Sequence, residues 1–174
     1  MEGSQGQRQG YGPARNRCDL RRTDLNTAEL EAEFTQLDLD HFDEARALRL
    51  GQILVDLAKA GKMPVVVNIR TADRTLFHAA LPGSAPLNDL WARRKSNVAL
   101  MFQLPSLLVG QRNKAKDETL DRHGLSAADY ADSGGAVPIR VKGTGTVAVA
   151  TVSGLPQVED HRLVVRAIRA LAAE

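Results

Sequence analysis

Residues 64–96, PVVVNIRTADRTLFHAALPGSAPLNDLWARRKS, decide the fold. The β-branched run at its start predicts a strand. "TADR" interrupts that run, and "TLFHAAL" reads as a second strand. Two strands joined by so short a turn must be antiparallel, so residues 64–81 form a hairpin. "PGSAP" is turn chemistry, and Pro86 suits the first turn of a helix over 86–103. An apolar stripe of Leu87, Leu90, Trp91, Val98, Met101 and Phe102 is expected on that helix, facing the core.

Upstream, "TAELEAEFTQ" (27–36) reads as a short helix with Thr27 as its N-cap. "LDLDHF" alternates apolar and polar residues, which fits a short edge strand or a linker. A longer helix over 43–62 has Asp43 as N-cap, Glu44 in its positive first turn and Gly61 at its end. Ala47, Leu50, Leu54, Leu57 and Ala58 share one of its faces.

Downstream, 104–136 is the least regular region. It shows a short helix near "SLLVGQR", a turn at His123-Gly124, a helical turn from Ser126, and a break at Gly134-Gly135. "VPIRVKG" and "GTVAVATVS" make a second hairpin. "PQVEDHRLVVRAIRALAAE" is the last helix, opened by Pro156 and the acids Glu159 and Asp160. Helices must cover the apolar faces of such a sheet. The reading is therefore an α/β (α+β) domain on an antiparallel sheet, spanning 27–174, behind a flexible leader at 1–26.

The chain has 174 residues, 43% of them hydrophobic, enough for one domain with a real core. The formal net charge of +2, without a basic block, and 4% aromatic residues argue against a nucleic-acid partner. No apolar run approaches the length of a membrane span. The single cysteine, Cys18, leaves no internal disulfide and no multi-cysteine zinc site. A cytoplasmic location fits that cysteine poverty. The leader lacks the apolar segment of a signal peptide. It is Arg-rich like an organelle presequence, but Glu2, Asp19 and Asp24 argue against that.

Chemistry concentrates in three places. On the 86–103 helix, Arg94 and Lys95 lie within or beside the apolar stripe, next to the only tryptophan, Trp91. Either their stems run along the core and the heads reach water or an acid, or they form a cation pair at a pocket mouth waiting for an anion. His78 shares a strand face with Leu76 and Ala80, as a packed core residue or as a ligand. His161 points inward from the last helix, with the same two readings. The Ser153-Gly154 turn before that helix offers backbone N–H groups and a positive helix end to a carboxylate or phosphate. A hydrolase built on Ser153, His161 and Asp160 lacks the G-x-S-x-G elbow. No metal motif is present.

Four segments together, LDLDHFDEARALRLGQILVDLA, VVVNIRTADRTLFHAALPGSAPLNDLWARRKSNV, SGGAVPIRVKGTG and VSGLPQVEDHRLVV, resemble the GlcG/HbpS/PduO-C-terminal-like family of heme-degrading-domain proteins. The likeness runs over about residues 36–173. It implies a profilin-like three-layer α/β/α domain with a central antiparallel sheet, and a homo-oligomer. Asn88, within the "NDLWARRK" signature, joins the candidate ligand contacts. The residue before "GG", often histidine in the resembling subgroup, is Ser133 here. Heme is the cofactor the resemblance suggests. Its needs would fall to His78 or His161 as axial donor, Trp91 as apolar wall, and Arg94 with Lys95 for the propionates. A small anionic metabolite, or a non-catalytic oligomeric scaffold, are the other readings these residues allow.

Overall fold

The computed structural model describes residues 25–174; the leader expected at 1–26 lies almost entirely outside them, as does Cys18. Its elements are α1 (Thr27–Phe34), α2 (Glu44–Ala60), β1 (Val66–Arg70), β2 (Thr75–Ala80), α3 (Pro86–Phe102), α4 (Ser106–Lys116), a short 3-10 turn (Leu120–His123), β3 (Ala136–Val141), β4 (Gly145–Ser153) and α5 (Gln157–Ala172). The four strands form one sheet in the order β2-β1-β4-β3, antiparallel throughout. Both hairpins read from the turn chemistry are present. The inner pair, β1 and β4, comes from different hairpins.

The sheet is covered on both faces. Val65, Val67, Ile69, Val137, Ile139, Ala148, Ala150 and Val152 alternate onto one face and meet Leu50 and Leu54 of α2 and Leu163, Val164 and Ile168 of α5. The other face carries α3. This is the three-layer α/β/α arrangement with a central antiparallel sheet. α2 starts as expected, with Asp43 Oδ1 accepting from Arg46 N at 2.8 Å. It sits so close to β2 that a Cβ on Gly51 would lie 2.3 Å from the Phe77 ring.

Three details refine the expectation or depart from it. α1 is capped by Asn26, not Thr27. Asn26 Oδ1 accepts from Glu29 N at 2.9 Å, and Glu29 Oε2 accepts from Asn26 N at 3.0 Å, a reciprocal pair that fixes the start one residue earlier. "LDLDHF" contributes a single parallel bridge, Leu39 to Val141, on the outer edge of β3. The third concerns α3. Leu87, Leu90 and Met101 are exposed, while Ala92, Lys95, Ser96, Val98 and Ala99 are buried. A helix that lies close on a sheet does so through small residues. Ala99 meets Ala136 and Val149, and Ser96 Oγ bonds Thr151 Oγ1 at 2.7 Å while donating to Ala92 O. The larger apolar residues are left on the outer surface.

The irregular region is a wall. α4 packs Leu107 and Leu108 on Leu30 of α1, and Val109 with Leu120 on Val98 of α3. The chain then returns past α3, where Ala131 N donates to Arg94 O at 3.1 Å. Space between this wall and α3 is where the candidate residues gather.

Candidate functional site

Two adjoining clefts open beside α3. The larger, ≈ 480 Å³, is lined by Trp91, Arg94, Lys114, Leu120, Leu125 and Tyr130, among others. The smaller, ≈ 290 Å³, is lined by Asn88, Lys95, Ser153, Gly154, Gln157 and Asp160, among others. Trp91 and Ser133 belong to both. Of the eight residues singled out in the sequence, six line one cleft or the other: Asn88, Trp91, Arg94, Lys95, Ser153 and Gly154. His78 and His161 line neither.

Lys95 is not a free cation. The residue is 3% exposed, and its ammonium spends its three protons on Gly134 O at 3.0 Å, Val152 O at 2.8 Å and Asp160 Oδ2 at 3.0 Å. Asp160, from the first turn of α5, also accepts from Leu155 N at 3.0 Å and Gly154 N at 3.4 Å. The backbone N–H groups of the "SGLP" turn are therefore satisfied from within the chain, so the turn has none of these donors left for an external anion. Burial pulls the Lys95 ammonium below the usual lysine range and pushes the Asp160 carboxyl above the usual carboxylate range. Each partner's charge and hydrogen bonds oppose that shift. With every polar atom of the pair bonded, the arrangement is that of a desolvated ion pair. Glycine makes room for it: a Cβ on Gly135 would meet Lys95 Nζ at 2.6 Å.

Arg94 differs from its neighbour. Its guanidinium lies 4.4 Å from the centroid of a Trp91 ring, one helical turn away. Its Nε is buried without a hydrogen-bond partner, and among the described residues no carboxylate pairs with it. Three acids line the same cleft: Glu118 pairs with Arg122, Asp132 accepts from the Asn113 amide at 2.8 Å, and Asp121 accepts from the Thr119 hydroxyl at 3.4 Å. The larger cleft thus presents a stacked cation with no direct carboxylate partner among the described residues, beside the apolar side chains of Leu120 and Leu125. That combination suits a flat molecule carrying negative charge.

Each of the two candidate histidines faces a carboxylate, while His161 Nδ1 is buried without a hydrogen-bond partner. His78 is not packed among apolar residues: it lies on the α3 face of the edge strand β2 with its side chain 43% exposed. Its Nε2 lies 3.1 Å from Asp89 Oδ1, and its Nδ1 lies 3.3 Å from the Asn68 amide. His161 does point inward, but toward α1, where its Nε2 lies 2.9 Å from Glu33 Oε1. That hydrogen bond holds the Glu33 carboxyl below its usual range, against its partial burial. The contact therefore contributes stability above the ordinary carboxylate pKa and loses it as pH falls through the lowered value.

Sequence reasoning missed four contributors: Asp160 as the partner of Lys95, Gln157, Tyr130 and the wall residue Leu125. The acid in the first turn of α5 was the available signal for Asp160. Gln157 opens the same helix, where its polar type at an exposed first turn gave no signal, and Tyr130 and Leu125 sit in a segment without a periodic pattern that only the folded wall brings to the cleft.

Comparison with known proteins agrees with this architecture. Over 148 residues the chain is 47% identical to a UPF0303 protein of Streptomyces coelicolor, covering 84% of this chain and 94% of that one. The crystal structure of the Ybr137w protein superposes with a TM-score of 0.78 at 31% identity, over 85% of this chain and 90% of that one. A PduOC:heme complex shares the fold at a TM-score of 0.64 and 18% identity, over 74% of this chain and 94% of that one. The model of the family described as "Haem degrading protein HbpS-like" matches residues 42–169, most of the domain built above. With that match and relatives this similar over most of their length, the chain belongs to the HbpS-like heme-degrading family.

Proposed function

We propose that this protein binds a flat, carboxylate-bearing small molecule in the cleft beside Trp91 and Arg94, a tetrapyrrole being the ligand that the family's name suggests. The observation that carries the reading is the unpaired Arg94 guanidinium stacked on the indole at a cleft of ≈ 480 Å³. That volume lies within the range of about 300–1,000 Å³ usual for small-molecule sites. Heme asks a site for an apolar slot, cations for two propionates and a donor to iron. Leu120, Leu125 and Trp91 meet the first need, and Arg94 with Lys114 the second. The histidines do not meet the third, since both stand outside the cleft on carboxylates of their own. The residues fit the ring and its acid arms, and they do not fit a histidine-ligated iron. The ring and the carboxylates, rather than the metal, then supply the affinity.

Absorption titrations with hemin and with iron-free mesoporphyrin test this. Wild type is expected to bind both with similar affinity. Arg94→Ala weakens both by about tenfold or more, the worth of one charge-assisted hydrogen bond. His78→Ala changes neither. Binding that requires iron and disappears in His78→Ala would overturn the reading.

Self-association belongs to the same proposal. Leu87 and Leu90, 59% and 41% exposed, stand three residues apart on the outer side of α3, with Met101 further along it at 56%. Apolar side chains exposed along one helix suit a contact between copies. Light scattering of Leu87→Asp/Leu90→Asp is expected to give a smaller particle than wild type. An unchanged mass would remove α3 from the contact. A cytoplasmic location remains part of the proposal; among the described residues no helix is long and apolar enough to cross a membrane.

A further inference from the structure

The smaller cleft is built to donate hydrogen bonds. Two primary amides line it, and each has its oxygen committed to the fold. Asn88 Oδ1 accepts from Ala85 N at 2.8 Å, and Gln157 Oε1 accepts from Gly134 N at 3.1 Å. A backbone N–H can only donate, so these contacts fix which end of each amide is which and leave both NH2 groups without a partner among the described residues. Ser153 is 3% exposed, lines the same cleft and makes no side-chain hydrogen bond among the described residues. Three of the acceptor groups that adjoin it are engaged. Lys95 occupies Gly134 O and Val152 O, and the Asp160 carboxylate serves Lys95, Gly154 N and Leu155 N. The buried Lys95–Asp160 ion pair in its lining carries no net charge. What remains is a pocket of ≈ 290 Å³ with surplus neutral donors.

We infer that this cleft is a carboxylate seat, which holds its anion through Asn88, Gln157 and Ser153 while Lys95 only positions the surrounding backbone. The inference rests on the reading of the neighbouring cleft for one point: because Trp91 and Ser133 line both, the carboxylate is an arm of the ring bound next door or a free small organic acid. The shared chemistry is a carboxylate presenting acceptors and no donor.

Asn88→Asp and Gln157→Glu are the informative changes. Each keeps the oxygen that Ala85 N or Gly134 N requires, so the fold retains its contact. Each replaces the NH2 donor with a second, negatively charged oxygen. Trp91, the only tryptophan in the chain and a lining residue, reports occupancy through its emission. Propionate and propionamide probe the free-acid source; mesoporphyrin and its dimethyl ester probe the ring-arm source. Wild type is expected to bind a carboxylate probe and to weaken by about tenfold or more in either variant, with the amide and ester indifferent to both changes. The inference is overturned if propionate gives no saturable response and mesoporphyrin binds both folded variants as tightly as wild type. Mesoporphyrin lost in Arg94→Ala but not in Asn88→Asp leaves the larger cleft's function standing without this seat. Propionate bound where mesoporphyrin is not keeps the seat and removes that function.

Discussion

Asp160→Ala is expected to lose about 3–5 kcal/mol of folding stability in urea denaturation, the range found when one partner of a buried ion pair is removed. The substitution strands the ammonium of Lys95, a buried residue, with two carbonyls and no counter-charge. It also deprives Gly154 N and Leu155 N of their acceptor at the start of α5. For a domain of this size the midpoint temperature falls by roughly 10 °C. Lys95→Met costs less, because the Asp160 carboxylate keeps two backbone donors and can take up a proton. Adding Lys95→Met to Asp160→Ala recovers part of the loss, since an apolar residue no longer requires a partner. A loss below about 1 kcal/mol in Asp160→Ala would mean that water reaches the pair and that the ion pair is not the keystone described here.

Gly135→Ala has an effect of similar size by a different route. The residue sits at φ +127°, a conformation that L side chains rarely adopt, and its Cβ would lie 2.5 Å from Val152 O and 2.6 Å from Lys95 Nζ. The backbone strain alone costs about 1–3 kcal/mol. Displacing the ammonium from its acceptors adds to that, so the expected total is about 4 kcal/mol, or failure to fold. Gly124→Ala is the control. It too has positive φ, +71°, but nothing lies within 4 Å of the added carbon. Its cost is expected to stay near about 1–2 kcal/mol. Equal losses at the two positions would show that conformation, and not the crowding around Lys95, sets the penalty at Gly135.

The hairpins, the long helices and their order were legible in the sequence because each rests on local chemistry. β-branched runs, Pro-Gly turns and the Asp43 cap act within a few residues. α3 was misread for a reason that is also local. Hydrophobic periodicity ranks leucine and methionine as inward, whereas a helix lying close on a sheet selects alanine and serine, and turns Leu87, Leu90 and Met101 outward. The candidate residues of α3 and the Ser153-Gly154 turn were legible as a group, since their types are unusual for their positions. Their division of labour was not. Lys95 and Arg94 are adjacent and look alike, but Lys95 meets an acid 65 residues away while the Arg94 guanidinium stacks on Trp91. No local pattern encodes that pairing. His78 was on an alternating face as read, but alternation does not reveal that β2 is an edge strand on which that side chain is half-exposed.

The central claim is that Arg94 and Trp91 form the binding surface of the larger cleft. Quenching of Trp91 emission by mesoporphyrin tests it most directly, because the chain has a single tryptophan and that residue lines the cleft. The account predicts quenching that saturates at one porphyrin per chain, persists in His78→Ala, and shifts to about tenfold higher concentration or beyond in Arg94→Ala. Porphyrin that binds without quenching Trp91, or that quenches Arg94→Ala as readily as wild type, would contradict it.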